Sequence, residues 1–277
     1  MTFSIVARSA DGAAFGVAVA SKFLAVGAAV PAAAAGVGAI ATQAFANLAY
    51  RPEGMAQLRE GRSASLTLET LVAADDEGEK RQVGIVDVAG AAATFTGREC
   101  HPWAGGISGE GYAIQGNILT GPEVVTAMES AWHESSPEAP LARRMLAVLA
   151  AGDAAGGDRR GRQSAAILVV TPEGGYGGGS DVLVDLRVDD HTAPVGELAR
   201  LLDLHELYFG KPDPDTLLDL GGELGAEVRR RLAGLGHVDD SLDAALAGWA
   251  GIENYEERLV PGKIDPLVLA KLREAES

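Results

Sequence analysis

The order of strand-like and helical segments is the feature of this sequence that most constrains its fold. Two strand-like runs, 3–8 and 15–20, flank an Asp-Gly pair that is typical of a hairpin turn. A third run at 37–42, a helical stretch at 52–74 and a second hairpin at 82–96 follow. Because strands come in hairpins and do not alternate singly with helices, this order favours antiparallel sheets with helices packed outside them.

The second half of the chain continues this grouping and then changes character. It contains a strand at 112–117, helices at 121–133 and 141–151, a Gly- and Arg-rich loop at 152–161, and strands at 164–171 and 182–188. Helical periodicity dominates from about Pro194. We therefore predict an α+β domain over residues 1–195, a connecting helix or linker over 196–211, and a small helical module over 212–277.

Charge and composition exclude several classes of protein. A hydrophobic fraction of 47% is enough to bury a core, which rules out a wholly disordered chain. The net charge of −16 argues against nucleic acid or an anionic membrane as a partner, since both need basic surfaces. Residues 212–277 hold 14 acidic and 7 basic side chains, so the C-terminal module shares this acidity.

Residues that bind metals or mark export are sparse. Cys100 is the single cysteine, and the five histidines are scattered without a paired-ligand motif, so we expect no metal centre and no cofactor. The most apolar run, 23–46, is interrupted by Pro31 and three glycines, so we expect no membrane span. The first residues lack the basic and apolar regions of a secretory signal. We expect a cytoplasmic protein.

Thr2 is the first candidate for catalysis. A small residue at position 2 generally allows removal of the initiator Met1, which would leave Thr2 with a free α-amine. A free N-terminal threonine carries nucleophile and base in one residue, because the α-amine takes the proton of the attacking hydroxyl. An α-amine has a pKa of about 7.7–8.0, so a large fraction is neutral near working pH.

The predicted hairpin and a later strand place further polar residues near Thr2. The return strand ends at Ser21 and Lys22, and a hairpin brings that end beside the start of its partner. A nearby lysine would favour deprotonation of the nucleophile, although Lys22 is equally consistent with a solvated surface residue. Gln115 and Asn117 close another strand and are suited to hold an oxyanion or a substrate carbonyl. Asn117 is also a favoured residue for capping the following helix.

Candidate substrate-binding residues come from two other segments. Arg159 and Arg160 could bind a substrate carboxylate through two parallel hydrogen bonds, or belong to a loop that solvates its charges. The full set of candidates is Asp158, Arg159, Arg160, Gln163 and Ser164, with Thr42, Gln43 and Asn47 as a pocket wall. Cys100 and His101 do not suggest a cysteine nucleophile, because adjacent residues of an extended chain point to opposite faces.

Several separated segments together resemble a known family. They are residues 2–8, 16–23, 36–44, 100–105, 109–117 and 158–165. In their residues and in their order along the chain, they resemble a bacterial and archaeal domain of unknown function, number 1028, over residues 1–195. That family is similar to the N-terminal-nucleophile hydrolases, the superfamily of proteasome β-subunits and several amidases. The resemblance implies a four-layer αββα sandwich with Thr2 at the mouth of a cleft between the sheets.

The resemblance has a departure and an extension. The aspartate of the proteasome site falls at Ser21, and its lysine on the next strand has no counterpart between Val30 and Thr42. The tail, from Asp213 to Leu269, resembles a peptidoglycan-binding helical module. Because an acidic cytoplasmic protein would not meet intact cell wall, we favour a lid, dimerisation or small-peptide-recognition role for it.

The sequence supports one primary function and two alternatives. The primary expectation is an N-terminal-nucleophile amide hydrolase that acts through Thr2 on a small amide or peptide-like substrate, in a homo-oligomer expected to be a dimer. One alternative is a small-molecule or peptide-binding protein that keeps the sandwich and has lost the chemistry. The other is a structural interaction protein that uses the acidic tail.

Overall fold

The computed structural model describes residues 2–275. These residues form two compact units, one ending at Leu202 and the other beginning at Asp203. In chain order, the strands of the first unit are β1 (Thr2–Arg8), β2 (Phe15–Ser21), β3 (Pro31–Ala34), β4 (Gly38–Ala44), β5 (Arg81–Asp87), β6 (Ala92–Thr96), β7 (Gly105–Gly109), β8 (Tyr112–Asn117), β9 (Ser164–Val170) and β10 (Val182–Val188). Its helices are α1 (Val26–Ala29), α2 (Tyr50–Arg59), α3 (Ala64–Ala73), α4 (Glu123–Glu134), α5 (Leu141–Ala154) and α6 (Pro194–Phe209), the last of which continues past the boundary.

The ten strands form two antiparallel sheets. The larger has six strands in the order β10-β9-β2-β1-β8-β7, and the smaller has four in the order β3-β4-β5-β6. β1 therefore lies in the middle of the larger sheet, paired with β2 on one side and β8 on the other. In the first hairpin, Gly12 takes a φ of +76°, a conformation that glycine adopts without strain, as the Asp-Gly signal predicts.

The four inner strands of the larger sheet, β9, β2, β1 and β8, are buried on both faces. Along β1, Phe3 and Ile5 pack in a cluster with side chains of α4, α5 and α6. Val6, on the alternate face, packs instead against residues of the four-stranded sheet such as Ala41 and Val86. Since successive side chains of a strand point to opposite faces, the strands alternate between two apolar surroundings and read as nearly continuous apolar runs.

The smaller sheet carries helices on its other face. Ile40 and Ile85 pack there with Leu58 of α2 and Leu71 of α3. Ser63 caps α3, since its side chain accepts a hydrogen bond from the backbone N–H of Leu66. Helices α2 and α3 thus cover the face of the smaller sheet that is turned away from the larger one.

The second unit has its own core. It contains α7 (Gly222–Gly234), α8 (Leu242–Glu253) and α9 (Pro266–Glu274), with a short pairing of β11 (Leu218–Asp219) and β12 (Lys263–Ile264). Trp249, Val228 and Leu272 are buried in its apolar cluster. The buried Arg258 pairs with Asp265 at 2.6 Å and donates to the carbonyl of Leu207, so this charge is satisfied.

A mixed α/β fold with a C-terminal helical region is confirmed, and several elements differ from the sequence prediction. The Gly-rich β7 and the Ala-rich β3 were not predicted, because glycine and alanine have low strand propensity. Pro31 begins β3 at the edge of its sheet, where a missing N–H costs no ladder hydrogen bond. No helix within residues 2–275 combines the length and hydrophobicity needed to cross a membrane.

Candidate functional site

Thr2 begins the central strand of the six-stranded sheet. Its direct cross-strand partners are Ser21, at the end of β2, and Asn117, at the end of β8. Directly opposed residues of neighbouring strands project to the same face with Cβ atoms about 5 Å apart, so the three side chains form a row. All three are buried, with 6%, 2% and 1% of their surface exposed in the order Thr2, Ser21, Asn117. Thr2 Oγ1 lies 3.1 Å from Ser21 Oγ.

Below this row, a hydrogen-bonded network of neutral side chains joins the two sheets. Ser4, on the same face as Thr2, donates to Gln43 Oε1 of β4 at 2.7 Å and accepts from Gln115 Nε2 at 2.7 Å. Gln43 Nε2 donates to the backbone carbonyl of Thr2 at 3.2 Å and to Gln82 Oε1 at 2.8 Å. Gln43 therefore holds the backbone of Thr2 directly, from the opposite sheet.

Gln82, at the start of β5, extends the network to β8 and to the edge strand β6. Its Nε2 donates to the carbonyl of Gly116 at 2.8 Å and to Thr96 Oγ1 at 2.8 Å. Gly84 follows on the same face, and a Cβ there would lie 2.1 Å from Gln115 Oε1. Only glycine at position 84 leaves room for the Gln115 amide, so the network depends on a backbone position as well as on side chains.

Asn117 differs from the glutamines of the network. Within residues 2–275, neither its Nδ2 nor its Oδ1 has a hydrogen-bond partner, although both atoms are buried. The capping alternative is excluded, because α4 begins at Glu123 and the residue at its cap is Pro122. A buried amide without partners is uncommon in proteins and needs an explanation.

Ser21 lies where the sequence predicts, and Lys22 turns away. The side chain of Lys22 is exposed, and among the described residues no hydrogen bond joins it to Thr2. Its backbone N–H donates to Asp158 Oδ2 at 2.7 Å. Asp158 thus fixes the chain just after Ser21 and also accepts from the backbone N–H of Arg160 at 2.8 Å.

The other residues of the 158–164 segment hold backbone at the same end of the sheet. The N–H of Gln163 donates to the carbonyl of Ser21 at 3.2 Å. Ser164 Oγ donates to the carbonyl of Phe23 at 2.5 Å and accepts from the N–H of Val26 at 3.1 Å. Arg159 has an exposed side chain, and Arg160 reaches back to Asp158 at 3.4 Å. Through these hydrogen bonds, the segment fixes the loop after β2.

Thr42 and Asn47 lie apart from the Thr2 row. Thr42 alternates with Gln43 and therefore lies on the helix-facing side of β4, where its hydroxyl donates to the carbonyl of Asn47 at 3.3 Å. Asn47 donates to Asp75 Oδ2 at 2.9 Å, and Arg81 donates to the same oxygen at 2.9 Å. The hydrogen bond from Arg81 holds the pKa of Asp75 well below its usual range. Of the predicted wall, the structure brings only Gln43 to Thr2.

Cys100 and His101 do not form a catalytic pair. The Cys100 thiol is buried and lies 3.3 Å from the carbonyl of Arg81, and burial raises the pKa of this thiol. His101 is exposed and its ring lies 5.7 Å from that of Phe45. Within residues 2–275, no group of three His, Cys, Asp or Glu side chains is placed to hold a metal ion.

A pocket adjoins the row on the other face of the sheet. Its walls include Phe3, Ala20, Ser21, Arg162 and Val195. Phe3 and Ala20 belong to the face that packs on helices, so this pocket lies behind Thr2. Its Arg162 is paired with Asp153 at 2.6 Å. We place the candidate site at the Thr2 row and not in this pocket.

Comparison with known families agrees with the division of the chain. The family of unknown function DUF1028 matches residues 2–198, which is most of the chain and begins at Thr2. The chain belongs to the DUF1028 family. Residues 208–272 match a second family, a peptidoglycan-binding-like domain. The resemblance drawn from the sequence is confirmed for both parts.

Solved structures include a second member of DUF1028. The crystal structure of protein SPO2555 from Silicibacter pomeroyi is 28% identical, with a TM-score of 0.66, over 82% of this chain and 92% of that chain. Anbu (ancestral beta-subunit) from Yersinia bercovieri is 12% identical, with a TM-score of 0.32, over 73% of this chain and 93% of that chain. None of the curated proteins matches the chain.

Sequence reasoning missed two members of the network. Ser4 and Gln82 were not among the candidates, although both lie in predicted strands. Ser4 is two residues from Thr2 and therefore on its face, which is a signal that alternation provides. Gln82 could not be found in this way, because its contact with Gln43 depends on how β4 and β5 pair.

Proposed function

We propose that this chain is an N-terminal-nucleophile amide hydrolase whose nucleophile is Thr2. The order of contacts in the first unit, from helices through two sheets to helices, supports assignment to the αββα sandwich of that superfamily. Removal of Met1, which lies outside the described residues, would give Thr2 its free α-amine. Membership of DUF1028 is consistent with the proposal and supplies no activity of its own.

One observation carries the proposal. Thr2 heads the central strand with its hydroxyl against Ser21 Oγ and its carbonyl held by Gln43 from the opposite sheet. Both contacts fix the position of the residue whose backbone nitrogen would become the terminal amine. Fixing nucleophile and base in one geometry is what a single-residue mechanism needs.

The reaction follows from these positions. Thr2 Oγ1 attacks the substrate carbonyl carbon and passes its proton to the α-amine, which then protonates the leaving nitrogen as the C–N bond breaks. Asn117 Nδ2 is the side-chain donor for the oxyanion, since no described residue accepts a hydrogen bond from it. Gln115 Nε2 donates a hydrogen bond to Ser4 Oγ, so Gln115 positions β1 and is not the oxyanion donor. Water then releases the acyl group from Thr2.

The test begins with the intact mass of the untagged protein and continues with two variants. We expect a mass without Met1, and turnover of one or more members of a panel of small carboxamides and dipeptides. Thr2→Ala should reduce that turnover at least about a thousandfold, whereas Thr2→Ser should keep a measurable part of it. Retention of Met1, or undiminished turnover by Thr2→Ala, would refute the proposal.

A binding protein is the second candidate, and the neutrality of the network favours it. The side chains that hold Thr2 and Ser4, namely Ser21, Gln43 and Gln115, carry no charge that would activate a hydroxyl. In that case Thr2→Ala keeps the affinity for a ligand, and wild-type protein shows no turnover of it.

The remaining expectations extend the proposal. We infer a cytoplasmic dimer that takes small amide or peptide-like substrates, with the C-terminal unit recognising small peptides. Its match to a peptidoglycan-binding-like domain supports recognition of peptide chemistry. Analytical ultracentrifugation checks the dimer, and binding of short peptides to the full chain checks the second role.

A further inference from the structure

We infer that Asn117 reads a primary carboxamide, or a cyclic amide of the same edge geometry, as the substrate group of this site. The inference rests on the proposed function, which places a substrate carbonyl beside Thr2. It goes further by naming the chemical class of that substrate and the residue that selects it.

The amide side chains around Thr2 differ in their hydrogen bonding. Gln43 and Gln82 each both donate and accept within the network. Gln115 donates to Ser4 and accepts from Thr94 Oγ1 at 3.3 Å. Asn117, directly opposite Thr2 on the neighbouring strand, neither donates nor accepts a side-chain hydrogen bond within residues 2–275. A buried donor and a buried acceptor on one side chain therefore await a partner that the described residues do not supply.

The geometry of an asparagine amide defines that partner. Nδ2 and Oδ1 lie on one edge, so a single group satisfies both only if it offers an acceptor and a donor on one edge of its own. A primary carboxamide, a lactam or a ureido group does so. A trans peptide bond has its N–H and C=O on opposite edges, and a carboxylate has acceptors alone. An ammonium group has donors alone.

This pairing fits the chemistry at Thr2. Nδ2 would donate to the substrate carbonyl oxygen, which gains negative charge when Thr2 Oγ1 attacks. Oδ1 would accept from the substrate nitrogen, which leaves as the amine. For a primary carboxamide the balanced reaction is amide plus water giving carboxylate plus ammonium. The neutral surroundings of the row, Ser21, Ser4 and Gln43, suit an uncharged group.

Access to Asn117 requires movement at the end of β8, since both amide atoms are covered. The segment after β6 lies there, because the N–H of Ile118 donates to the carbonyl of His101 at 3.0 Å. The N–H of Leu119 likewise donates to the carbonyl of Trp103 at 2.9 Å. His101 and Pro102 are exposed, so this segment borders solvent on its outer side.

The test observes Asn117 directly in the full-length Thr2→Ala protein, which binds without turnover. The chain has three asparagines, so a ¹⁵N-asparagine spectrum has three side-chain amide pairs. The Asn254→Asp and Asn47→Asp variants assign two pairs, and the third belongs to Asn117. Titration with propionamide should move the Asn117 pair and leave the other two in place. N,N-dimethylpropionamide, which lacks the N–H donors, should bind about tenfold or more weakly.

A substitution at Asn117, with a matched control, tests the hydrogen-bond donor of its amide. Asn117→Asp replaces the donor by a second acceptor, so it should lose propionamide and bind propionamidinium, which offers two donors on one edge. Asn254→Asp is the same chemical change in the second unit and should alter neither affinity. The inference is overturned if propionamide and its dimethyl analogue bind equally, or if propionamide leaves the Asn117 pair unmoved.

The two proposals can fail separately. If wild-type protein turns over amides while the Asn117 pair does not respond, the hydrolase stands and the role of Asn117 is wrong. If the Asn117 pair responds while Thr2→Ala changes no turnover, the amide site stands and the mechanism is wrong.

Discussion

The space between the two sheets has two halves that share strands and differ in chemistry. In one half, valines and alanines meet across the gap, among them Val6, Val17, Val19, Ala39 and Val86. In the other half, a few residues along the same strands, hydroxyls and amides meet instead, namely Thr2, Ser4, Gln43, Gln82 and Gln115. Apolar burial stabilises by about 25 cal/mol per Å², whereas a satisfied hydrogen bond adds little net free energy. The polar half therefore adds less stability than the apolar half, and under the proposed function it positions Thr2.

A charge in the apolar half should have the largest effect. Val17 is completely buried and its neighbours between the sheets are apolar. We expect Val17→Asp to lower the free energy of unfolding by more than about 4 kcal/mol, because the carboxylate would lose its hydration without gaining a partner. Urea unfolding measures this change. Val88→Asp, at an exposed position, is the control and should change stability little. Equal stability of the two variants would contradict the description of this half as a dry core.

A charge in the polar half should have a smaller effect that depends on pH. Gln43→Glu keeps the shape of the side chain and replaces a donor that now serves the Thr2 carbonyl and Gln82 Oε1. A carboxylate there would face acceptors in a buried site, so its folded-state pKa should rise above the unfolded value of about 4.3. The folded state would then bind the proton more tightly. The variant's stability relative to wild type should therefore fall as pH rises from about 4.3 through the raised folded pKa.

Urea unfolding at pH 4.5 and pH 8 measures this dependence. We expect a loss of about 1 kcal/mol at the lower pH, where the acid is neutral and donates one hydrogen bond, and about 3 kcal/mol at the higher pH. Gln57→Glu on α2 lies outside the network and serves as the control without such pH dependence. A loss that is the same at both pH values would show that Gln43 does not lie among acceptors.

The same comparison explains which parts of the site the sequence could predict. The position of Ser21 beside Thr2 could be predicted, because the turn and the strand lengths of a hairpin determine which of its residues pair. The same reasoning cannot assign Gln115 and Asn117 to different roles, since both end one strand and only tertiary contacts distinguish them. Gln115 is hydrogen-bonded to Ser4 and Thr94, whereas Asn117 has no partner within residues 2–275. Thr42 and Lys22 lie away from Thr2 for a local reason, namely that each alternates with a residue that faces it. Applying the two-residue period of strands to the candidates would have separated them.

The fold shows the same limit. Strands with β-branched residues were predicted close to their observed bounds, as for β9 (Ser164–Val170). β7 was missed because its glycines and serine have weak strand preference, and it forms through pairing with β8. Local sequence patterns do not show which strands share a sheet, because β1 pairs with β8 across more than a hundred residues of sequence.

The smallest expected effect is at Asn117, and it is the most discriminating because the substitution should raise the free energy of unfolding, not lower it. Within residues 2–275 the buried amide of Asn117 has no hydrogen-bond partner, so it destabilises the fold that it belongs to. Asn117→Val, which suits a strand and removes the unpartnered atoms, should raise the free energy of unfolding by about 1 kcal/mol. The same variant should lose amide turnover, because the oxyanion would lose its side-chain donor.

Gln115→Val is the control and should destabilise the protein, since it breaks the hydrogen bond to Ser4 and leaves that hydroxyl without its donor. Urea unfolding of the two variants side by side measures the difference. A destabilised Asn117→Val would mean that the amide has a structural partner, and the polar half would then be a network without an opening for substrate.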